Sequence, residues 1–338
     1  MKLAKQITIG VVFIAVVAAA TLYVLYQQVV SYGHEPITLN EDKIFTVPAG
    51  TGRIALEGLL VDGKIIEKSP AFQWLLKLQP ELAQFKAGTY RLQPKMTVTQ
   101  LLALLSSGKE AQFTIRFIEG SKLSDWSAIL RDAPYLTHET EGKSLEQLSE
   151  LLAIETPDSL EGWFYPDTYH YTANTSDLDI LKRAHQQMKS ALDQAWKGRD
   201  KTLPYTRPYE MLIMASIVEK ETGVEHERSK VASVFTNRLK KNMRLQTDPT
   251  VIYGLAEKYR GTIYRSDLNN YTPYNTYLID GLPPTPIAMP GLASLKAAAH
   301  PATTDYLYFV ADGTGGHTFS TNLNDHNRAV KVYRQLQK

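Results

Sequence analysis

The sequence predicts an α+β protein that is held in a membrane by one N-terminal helix. An uncharged apolar run covers residues 7–26, a pattern of strand, turn and helix repeats between residues 41 and 132, and longer helical segments follow residue 161. With 338 residues, of which 43% are hydrophobic, the chain is long enough for two globular units. We therefore expect a single transmembrane helix, a small α+β subdomain and a larger mixed α+β domain.

The composition excludes several classes of protein. Lys and Arg total 37 and Asp and Glu total 35, which gives a formal charge of +2. This balance lacks the excess positive charge that holds a nucleic acid backbone, so we expect no nucleic acid partner. Cysteine is absent, which excludes disulfides, iron–sulfur clusters, cysteine zinc sites and thiol nucleophiles.

The N-terminal run from Ile7 to Tyr26 has about the 20 residues that a helix needs to cross a bilayer. A cleaved signal peptide is the alternative, but the apolar run continues past the alanines at 18–20, and such regions usually span only about 7–15 residues. Lys2 and Lys5 precede the run, so the positive-inside rule leaves residues 1–6 in the cytoplasm. We therefore predict a retained anchor with the rest of the chain on the outer side of the membrane.

A polar stretch, residues 27–40, follows the run, and we expect it to be a tether. Between residues 41 and 132 we expect one small core, because the strands of the three repeated units are too short to be stable alone. Ser121 is the expected N-cap of the third helix. The predicted strands are 43–47, 88–92 and 113–118, and the predicted helices pass through Leu56 and Leu60, through 98–107 and through 123–130.

Residues 133–160 mix acidic residues, Thr and Ser with scattered leucines, and we expect a connecting segment with a short helix. The larger domain, residues 161–338, opens on an aromatic stretch in which Pro166 interrupts any strand. The expected elements after it are helices at 176–197 and 208–222, a β-hairpin within 306–320 and a last helix from about 323 to 336.

The helix expected at 208–222 carries the strongest candidate for catalysis. It is apolar on all sides from Met211 to Val218, apart from Ser216, and two carboxylates follow. At about 100° per residue, Glu221 lies about 20° from the direction of the buried stripe, whereas Glu219 lies about 140° away. Burial raises the pKa of a carboxyl group, so Glu221 is a candidate general acid. The alternative is that Glu221 is a frayed, solvated residue of the last turn.

The loops that follow this helix suit a neutral ligand rich in hydroxyl and amide groups, such as a glycan, because they combine proline with Tyr, Asn and Gln. We expect substrate contacts from Gln246, Asp248, Tyr274 and Asn275, with turn and cap chemistry as the alternative. No P-loop and no Gly-x-Ser-x-Gly motif occurs. The eight histidines include no metal-binding pair around a Glu, so we expect neither a metal nor a cofactor.

Seven ordered segments closely resemble the YceG-like endolytic murein transglycosylases, and the resemblance runs from the anchor nearly to the C-terminus. These segments are Ala215-Ser-Ile-Val-Glu-Lys-Glu-Thr, Val231-Ala-Ser-Val-Phe-Thr-Asn-Arg-Leu, Arg244-Leu-Gln-Thr-Asp-Pro-Thr-Val-Ile-Tyr-Gly, Tyr274-Asn-Thr-Tyr, Gly281-Leu-Pro-Pro, Ala298-Ala-His-Pro and Gly316-His-Thr-Phe.

The resemblance implies an inner-membrane enzyme of a Gram-negative cell, with a LysM-like subdomain at 41–132 and a periplasmic active site. It implies that Glu221 is the catalytic glutamate and that Thr222, the next residue, contacts the substrate. The implied reaction cuts the β-1,4 bond between N-acetylmuramic acid and N-acetylglucosamine within peptidoglycan strands and leaves 1,6-anhydro ends. The implied partners are the glycan strands and the penicillin-binding synthases that polymerise them.

Two alternatives remain open from the sequence. A hydrolase of the same bond needs a second carboxylate, for which Asp248 and Glu219 are available. An anchored peptidoglycan-binding scaffold needs no catalytic residue, and Glu221 would then be structural.

Overall fold

The computed structural model describes residues 2–154 and 159–336, so part of the expected connecting segment 133–160 and the ends of the chain lie outside the described residues. The chain divides into two compact units, Met1–Phe113 and Thr114–Lys338. This boundary falls earlier than the expected one near residue 132, because strand β3 (Phe113–Arg116) pairs with strand β4 (Thr168–Tyr171) of the second unit.

Helix α1, Lys2–His34, is continuous through most of the expected tether. Its residues 5–34 are long and apolar enough to cross a membrane, with a mean hydropathy of 2.5 in the most apolar window. The apolar side chains from Ile7 to Tyr26 are exposed, whereas Val29 and Tyr32 are buried in the core of the first unit. The expectation of a tether is therefore wrong as far as His34, because packing of these two side chains keeps the segment helical.

The first unit contains two of the three predicted strands and two of the three predicted helices of residues 41–132, and these four elements are confirmed. Strands β1 and β2 pair antiparallel in a two-stranded sheet. Helix α4 begins with a capping box between Thr97 and Gln100 and ends at Gly108, whose φ of 72° is left-handed. One helix, α3, was not predicted. The elements are β1 Lys43–Val47, α2 Arg53–Asp62, α3 Pro70–Leu78, β2 Gly88–Leu92 and α4 Val98–Ser107.

The second unit is mainly helical, with a β-hairpin near its end. The short helix within 133–160, the two long helices, the hairpin and the last helix are confirmed. Strands β5 and β6 pair antiparallel, with Ala311 opposite His317. The helices are α5 Leu123–Asp132, α6 Leu145–Leu152, α7 Asp177–Gly198, α8 Pro208–Glu221, α9 Arg228–Lys240, α10 Asp248–Leu255, α11 Arg265–Leu268, α12 Leu292–Ala299 and α13 Leu323–Leu336, and the hairpin strands are β5 Tyr308–Ala311 and β6 His317–Ser320.

The expected N-cap of α5 is wrong. Lys122 is the N-cap residue, and its backbone N–H donates to the Asp125 carboxylate at 2.8 Å. The Ser121 hydroxyl is used elsewhere, because it accepts from Nε1 of Trp126 at 2.8 Å and donates to the Ile118 carbonyl at 2.6 Å.

Helix α8 is the centre of the second unit. Every residue from Met211 to Val218 is buried, and α7, α9, α10 and α12 pack around the helix. Ser216 does not disrupt this core, because its hydroxyl donates to the Ile213 carbonyl at 2.7 Å and accepts from the Ile287 N–H at 3.0 Å. Since full burial of one large apolar side chain contributes about 1.5–3 kcal/mol, α8 is firmly held and fixes the residues at its C-terminal end.

Candidate active site

Glu221 is the last residue of α8, which ends because Thr222 adopts an extended backbone conformation with φ −143° and ψ 133°. The Thr247 hydroxyl donates to Oε2 of Glu221 at 2.8 Å. The pKa of Glu221 is raised to about 7: burial and the charge of Asp248 raise it, and the Thr247 hydrogen bond and His317 lower it. The alternative of a frayed, solvated Glu221 is therefore wrong, and the side chain exists in both protonation states near neutral pH.

Glu221 faces a cavity of about 460 Å³ within the second unit. The walls come from α9, α10, the hairpin, α13 and the loops around residues 246 and 277. The lining is polar and aromatic, which suits a ligand that needs both hydrogen bonds and stacking faces. The cavity is lined by Glu221, Phe235, Arg238, Leu245, Gln246, Asp248, Tyr277, Tyr308, Phe309, Val310, Ala311, His317, Leu323, His326 and Asn327.

Gln246 and Asp248 are the two predicted substrate contacts that line this cavity with Glu221, and both are exposed. Gln246 has a left-handed φ of 51°. Its side-chain oxygen accepts a hydrogen bond from Nη1 of Arg238 at 3.1 Å, which helps to hold the residue in this conformation. The Tyr277 hydroxyl donates to Asp248 at 2.7 Å. Burial and this hydrogen bond raise the pKa of Tyr277, so Tyr277 stays neutral and keeps its proton.

Tyr274 lies outside the Glu221 cavity. It lines a second cavity of about 720 Å³ together with Tyr253, Tyr271 and Glu161. Glu161 is buried and accepts hydrogen bonds from the Tyr253 hydroxyl at 3.1 Å and the Leu123 N–H at 3.0 Å. Burial raises the pKa of Glu161 to about 7, against the lowering effect of these bonds. The sequence pattern gave no indication of this second titratable carboxyl group.

Asn275 and Thr222 are buried and hold the backbone. The Asn275 amide donates to three carbonyl oxygens, and its side-chain oxygen accepts from the Tyr277 N–H at 3.0 Å. The Thr222 hydroxyl accepts from the Val224 N–H at 3.0 Å. Neither residue lines the Glu221 cavity. Tyr274, Asn275 and Thr222 thus do not line the cavity that Gln246 and Asp248 line.

Glu219 is also buried, although the helical wheel points it away from the predicted stripe. Its side chain is 6% exposed, accepts from the Gly291 N–H at 2.9 Å and lies 3.8 Å from Nη2 of Arg228. The expectation that burial separates the two glutamates is wrong, because contacts with Arg228 and Gly291 bury the Glu219 side chain although it lies off the predicted stripe. Glu219 does not line the Glu221 cavity.

The structure adds two residues to the site that the sequence analysis did not select. Thr247 contacts Glu221 directly, and His317 lines the cavity while Nδ1 of its ring lies 2.7 Å from Oε2 of Glu227. The Glu227 carboxylate also accepts from the His317 N–H at 3.0 Å, which ties the start of β6 to the segment after α8. Both Thr247 and His317 belong to segments that carry the family resemblance, which is the signal that could have selected them.

The arrangement supports proton transfer by one carboxyl group at the wall of a polar cavity. Asp248 is a second carboxylate at the same cavity, so the hydrolase alternative keeps one of its two candidates, whereas Glu219 lies elsewhere. Among residues 2–154 and 159–336, no group of three or more His, Asp or Glu side chains is arranged to hold a metal ion.

Comparison with known proteins gives consistent matches over most of the chain. The model of the YceG-like family matches residues 45–332. An endolytic murein transglycosylase of Bacillus subtilis (strain 168) is 35% identical over 304 residues, which cover 85% of this chain and 83% of that protein. One of Streptococcus pneumoniae serotype 2 is 28% identical and matches 94% of this chain and 63% of its own length.

A solved structure agrees with these matches. The crystal structure of a putative yceG-like protein from Listeria monocytogenes is 31% identical, with a TM-score of 0.55. The match covers 85% of this chain and 99% of that chain.

Proposed function

Because the chain belongs to the YceG-like family and is a peptidoglycan transglycosylase, we propose that it cleaves the β-1,4 bond between N-acetylmuramic acid and N-acetylglucosamine within glycan strands. The observation that carries this proposal is the half-buried Glu221, whose pKa is raised to about 7 at a polar, aromatic cavity. The scaffold alternative lacks support, since the curated relatives are named as enzymes.

Glu221 serves both proton transfers of the proposed reaction. Oε2 of Glu221 accepts the hydrogen bond from the Thr247 hydroxyl. The acidic proton is therefore bound to Oε1, which donates it to the glycosidic oxygen. Proton donation breaks the bond from C1 to that oxygen through an oxocarbenium-like transition state. The resulting carboxylate then removes the proton of the C6 hydroxyl of the muramoyl residue, and the C6 oxygen bonds to C1. Glu221 is protonated again, and no water enters the product.

The sugars around the cut contact the polar wall of the Glu221 cavity. Gln246 and Asp248 are exposed at this wall, where they can bind hydroxyl and acetamido groups. Tyr274 contacts the strand from the second cavity, and Asn275 and Thr222 act by holding the backbone of the site. This assignment differs from the sequence-based one, in which all five residues bind the sugars directly.

We further propose that α1 is a retained, single-pass anchor in the inner membrane and that the rest of the chain lies in the periplasm. The length and apolarity of residues 5–34 and the two lysines before the run support this orientation. The order strand, helix, helix, strand from β1 to β2, with antiparallel pairing, supports a LysM-like identity for this part of the first unit. Near glycan synthases, such an enzyme terminates the elongation of nascent strands.

Digestion of purified sacculi tests the reaction. A transglycosylase releases muramoyl ends that are lighter by one water than hydrolase products and that borohydride does not reduce. Long fragments are expected before disaccharides, because the cut lies within strands. Borohydride-reducible muramic acid as the main product would contradict the proposal and favour the hydrolase, with Asp248 as the second carboxylate.

A further inference from the structure

An apolar groove lies between α1 and α3 in the first unit. Its volume is about 400 Å³, and it is lined by α1 side chains between Leu22 and Val29 and by Pro70, Trp74 and Leu78 of α3. Trp74 is 56% exposed and Leu78 is 47% exposed. Large apolar side chains at i and i+4 thus form an uncovered face of α3 beside α1.

The position of this groove along α1 is fixed by packing. The groove begins within the apolar run 7–26 and extends to Val29, which is buried in the core of the first unit. At Gly33 a Cβ would lie 2.8 Å from Oγ1 of Thr99 in α4 and 3.4 Å from Cδ1 of Leu75 in α3, so α1 packs against both helices there. Because α1 is one continuous helix, the exposed face of α3 is held at the level where α1 leaves the expected hydrocarbon core.

The chemistry of this face is that of a membrane–water interface. Nζ of Lys77 lies 4.4 Å from the centroid of the Trp74 ring. Trp is enriched at the level of the lipid headgroups, and Lys places its amine in the polar layer while its stem covers apolar surface. The adjoining apolar side chains of α3, Phe72, Leu75 and Leu76, are buried in the first unit. The helix therefore has one broad apolar stripe, and the Trp74–Leu78 part of this stripe has no covering element within the described residues of this unit.

We propose that the Trp74–Leu78 face of α3 inserts into the outer-leaflet interface of the bilayer that holds α1, an inference that rests on the proposed anchoring. Lipid is the occupant, rather than a helix of another protein, because the groove is continuous with the exposed apolar surface of α1. The first unit then lies against the membrane in one orientation and does not hang from a flexible tether.

The absence of cysteine allows a direct test in the full chain. Single cysteines at Leu78→Cys, Ile14→Cys and Arg91→Cys carry a nitroxide label in vesicles of phosphatidylethanolamine and phosphatidylglycerol. Collision rates with oxygen, which concentrates in lipid, and with a water-soluble nickel chelate report the depth of each label. We expect oxygen to dominate at Ile14 and, at shallower depth, at Leu78. The chelate should dominate at Arg91, an exposed residue of β2 outside the groove.

The outcomes separate the inference from the anchoring on which it rests. A lipid environment at Ile14 with water at Leu78 overturns the inference and leaves the anchor intact. Water at all three positions overturns both. Two further outcomes indicate a protein partner and also overturn the inference. In the first, the label at Leu78 is shielded from both reagents. In the second, it is shielded in native membranes but exposed to water in the vesicles.

A second measurement uses the unlabelled chain and guards against a perturbing label. The other three tryptophans belong to the second unit. Brominated lipids should quench the tryptophan fluorescence of the wild type, and Trp74→Phe should remove at least half of the quenched signal. Quenching that is unchanged by Trp74→Phe overturns the inference.

Discussion

The two glutamates at the end of α8, Glu219 with a side chain that is 6% exposed and the half-buried Glu221, have different partners. Glu219 forms an ion pair with Arg228 and accepts a hydrogen bond from the Gly291 N–H. Glu221 accepts one hydrogen bond from a neutral hydroxyl and lies near the charges of Asp248 and His317, and burial is the main cause that raises its pKa to about 7. Burial alone therefore does not make a general acid. A carboxyl group keeps its proton where the surrounding groups do not compensate for the lost hydration of its charged form.

The largest expected effect is the loss of activity in Glu221→Gln. Gln keeps the volume of the side chain but cannot donate and then accept a proton, so turnover should fall by about 10²–10⁴-fold. Release of soluble fragments from sacculi measures the rate. Glu161→Gln is the matched control, because Glu161 also has a raised pKa but lines the second cavity. Loss of activity in Glu161→Gln with a working Glu221→Gln would assign the acid to the second cavity.

Glu219→Gln should affect stability more than catalysis. Gln can still accept from the Gly291 N–H, but Arg228, whose side chain is 13% exposed, loses its ion-pair partner. The expected loss is about 1–3 kcal/mol in the free energy of unfolding, measured by urea denaturation. The control is Glu146→Gln on α6, where the side chain is exposed and no change is expected. Unchanged stability together with lost activity would make Glu219 catalytic and end the contrast between the two glutamates.

The pH dependence of stability should distinguish Glu221 as well. Its pKa is about 7 in the folded chain and 4.5 ordinarily, so between these values the folded state binds more protons than the unfolded state. The free energy of unfolding therefore decreases as pH rises from about 4.5 to about 7. Glu161 titrates over the same interval, so the difference between wild type and Glu221→Gln isolates Glu221. We expect the variant to be more stable at pH 8 by about 1–2 kcal/mol. Equal pH profiles would show that Glu221 titrates normally.

The smallest effect is expected at Thr247. Thr247→Val removes the hydroxyl that lowers the pKa of Glu221. The fall of kcat at high pH should then move to higher pH, while the maximal rate drops by about 2–10-fold through loss of one hydrogen bond. Thr247→Ser keeps the hydroxyl and should restore both the profile and the rate. A variant with reduced rate but an unshifted profile would indicate that Thr247 only fills space.

The sequence predicted those elements whose local signals are strong. Helix α8 has Pro208 in its first turn, and the hairpin and α13 follow an alternating and then a helical pattern. Helix α3 was missed although Ser69 is its N-cap and Pro70 its first residue. Its apolar residues form one broad stripe opposite Gln73 and Lys77, but the helix has only nine residues, which are too few for periodicity alone to distinguish a helix from a strand.

The site was predicted only in part, because its remaining contacts join distant parts of the chain. Thr247 precedes α10 as its N-cap residue, and local pattern alone does not reveal that its hydroxyl reaches Glu221 of another helix. Tyr274 and Tyr277 belong to the same loop and are close in the sequence, yet they line different cavities. Which cavity a loop side chain enters depends on tertiary packing, which local periodicity does not encode.

The hairpin that His317 and Glu227 join to the rest of the second unit offers a way to measure ligand binding at the site. A two-stranded hairpin is only marginally stable alone, and every residue of β5 is half-buried. This wall of the cavity is thus expected to open locally at a lower free energy than α8, which is buried throughout. A ligand that touches the closed hairpin adds its binding free energy to that opening. Amide hydrogen exchange at residues 308–320 should therefore slow in proportion to glycan occupancy and report binding in Glu221→Gln, where no product forms.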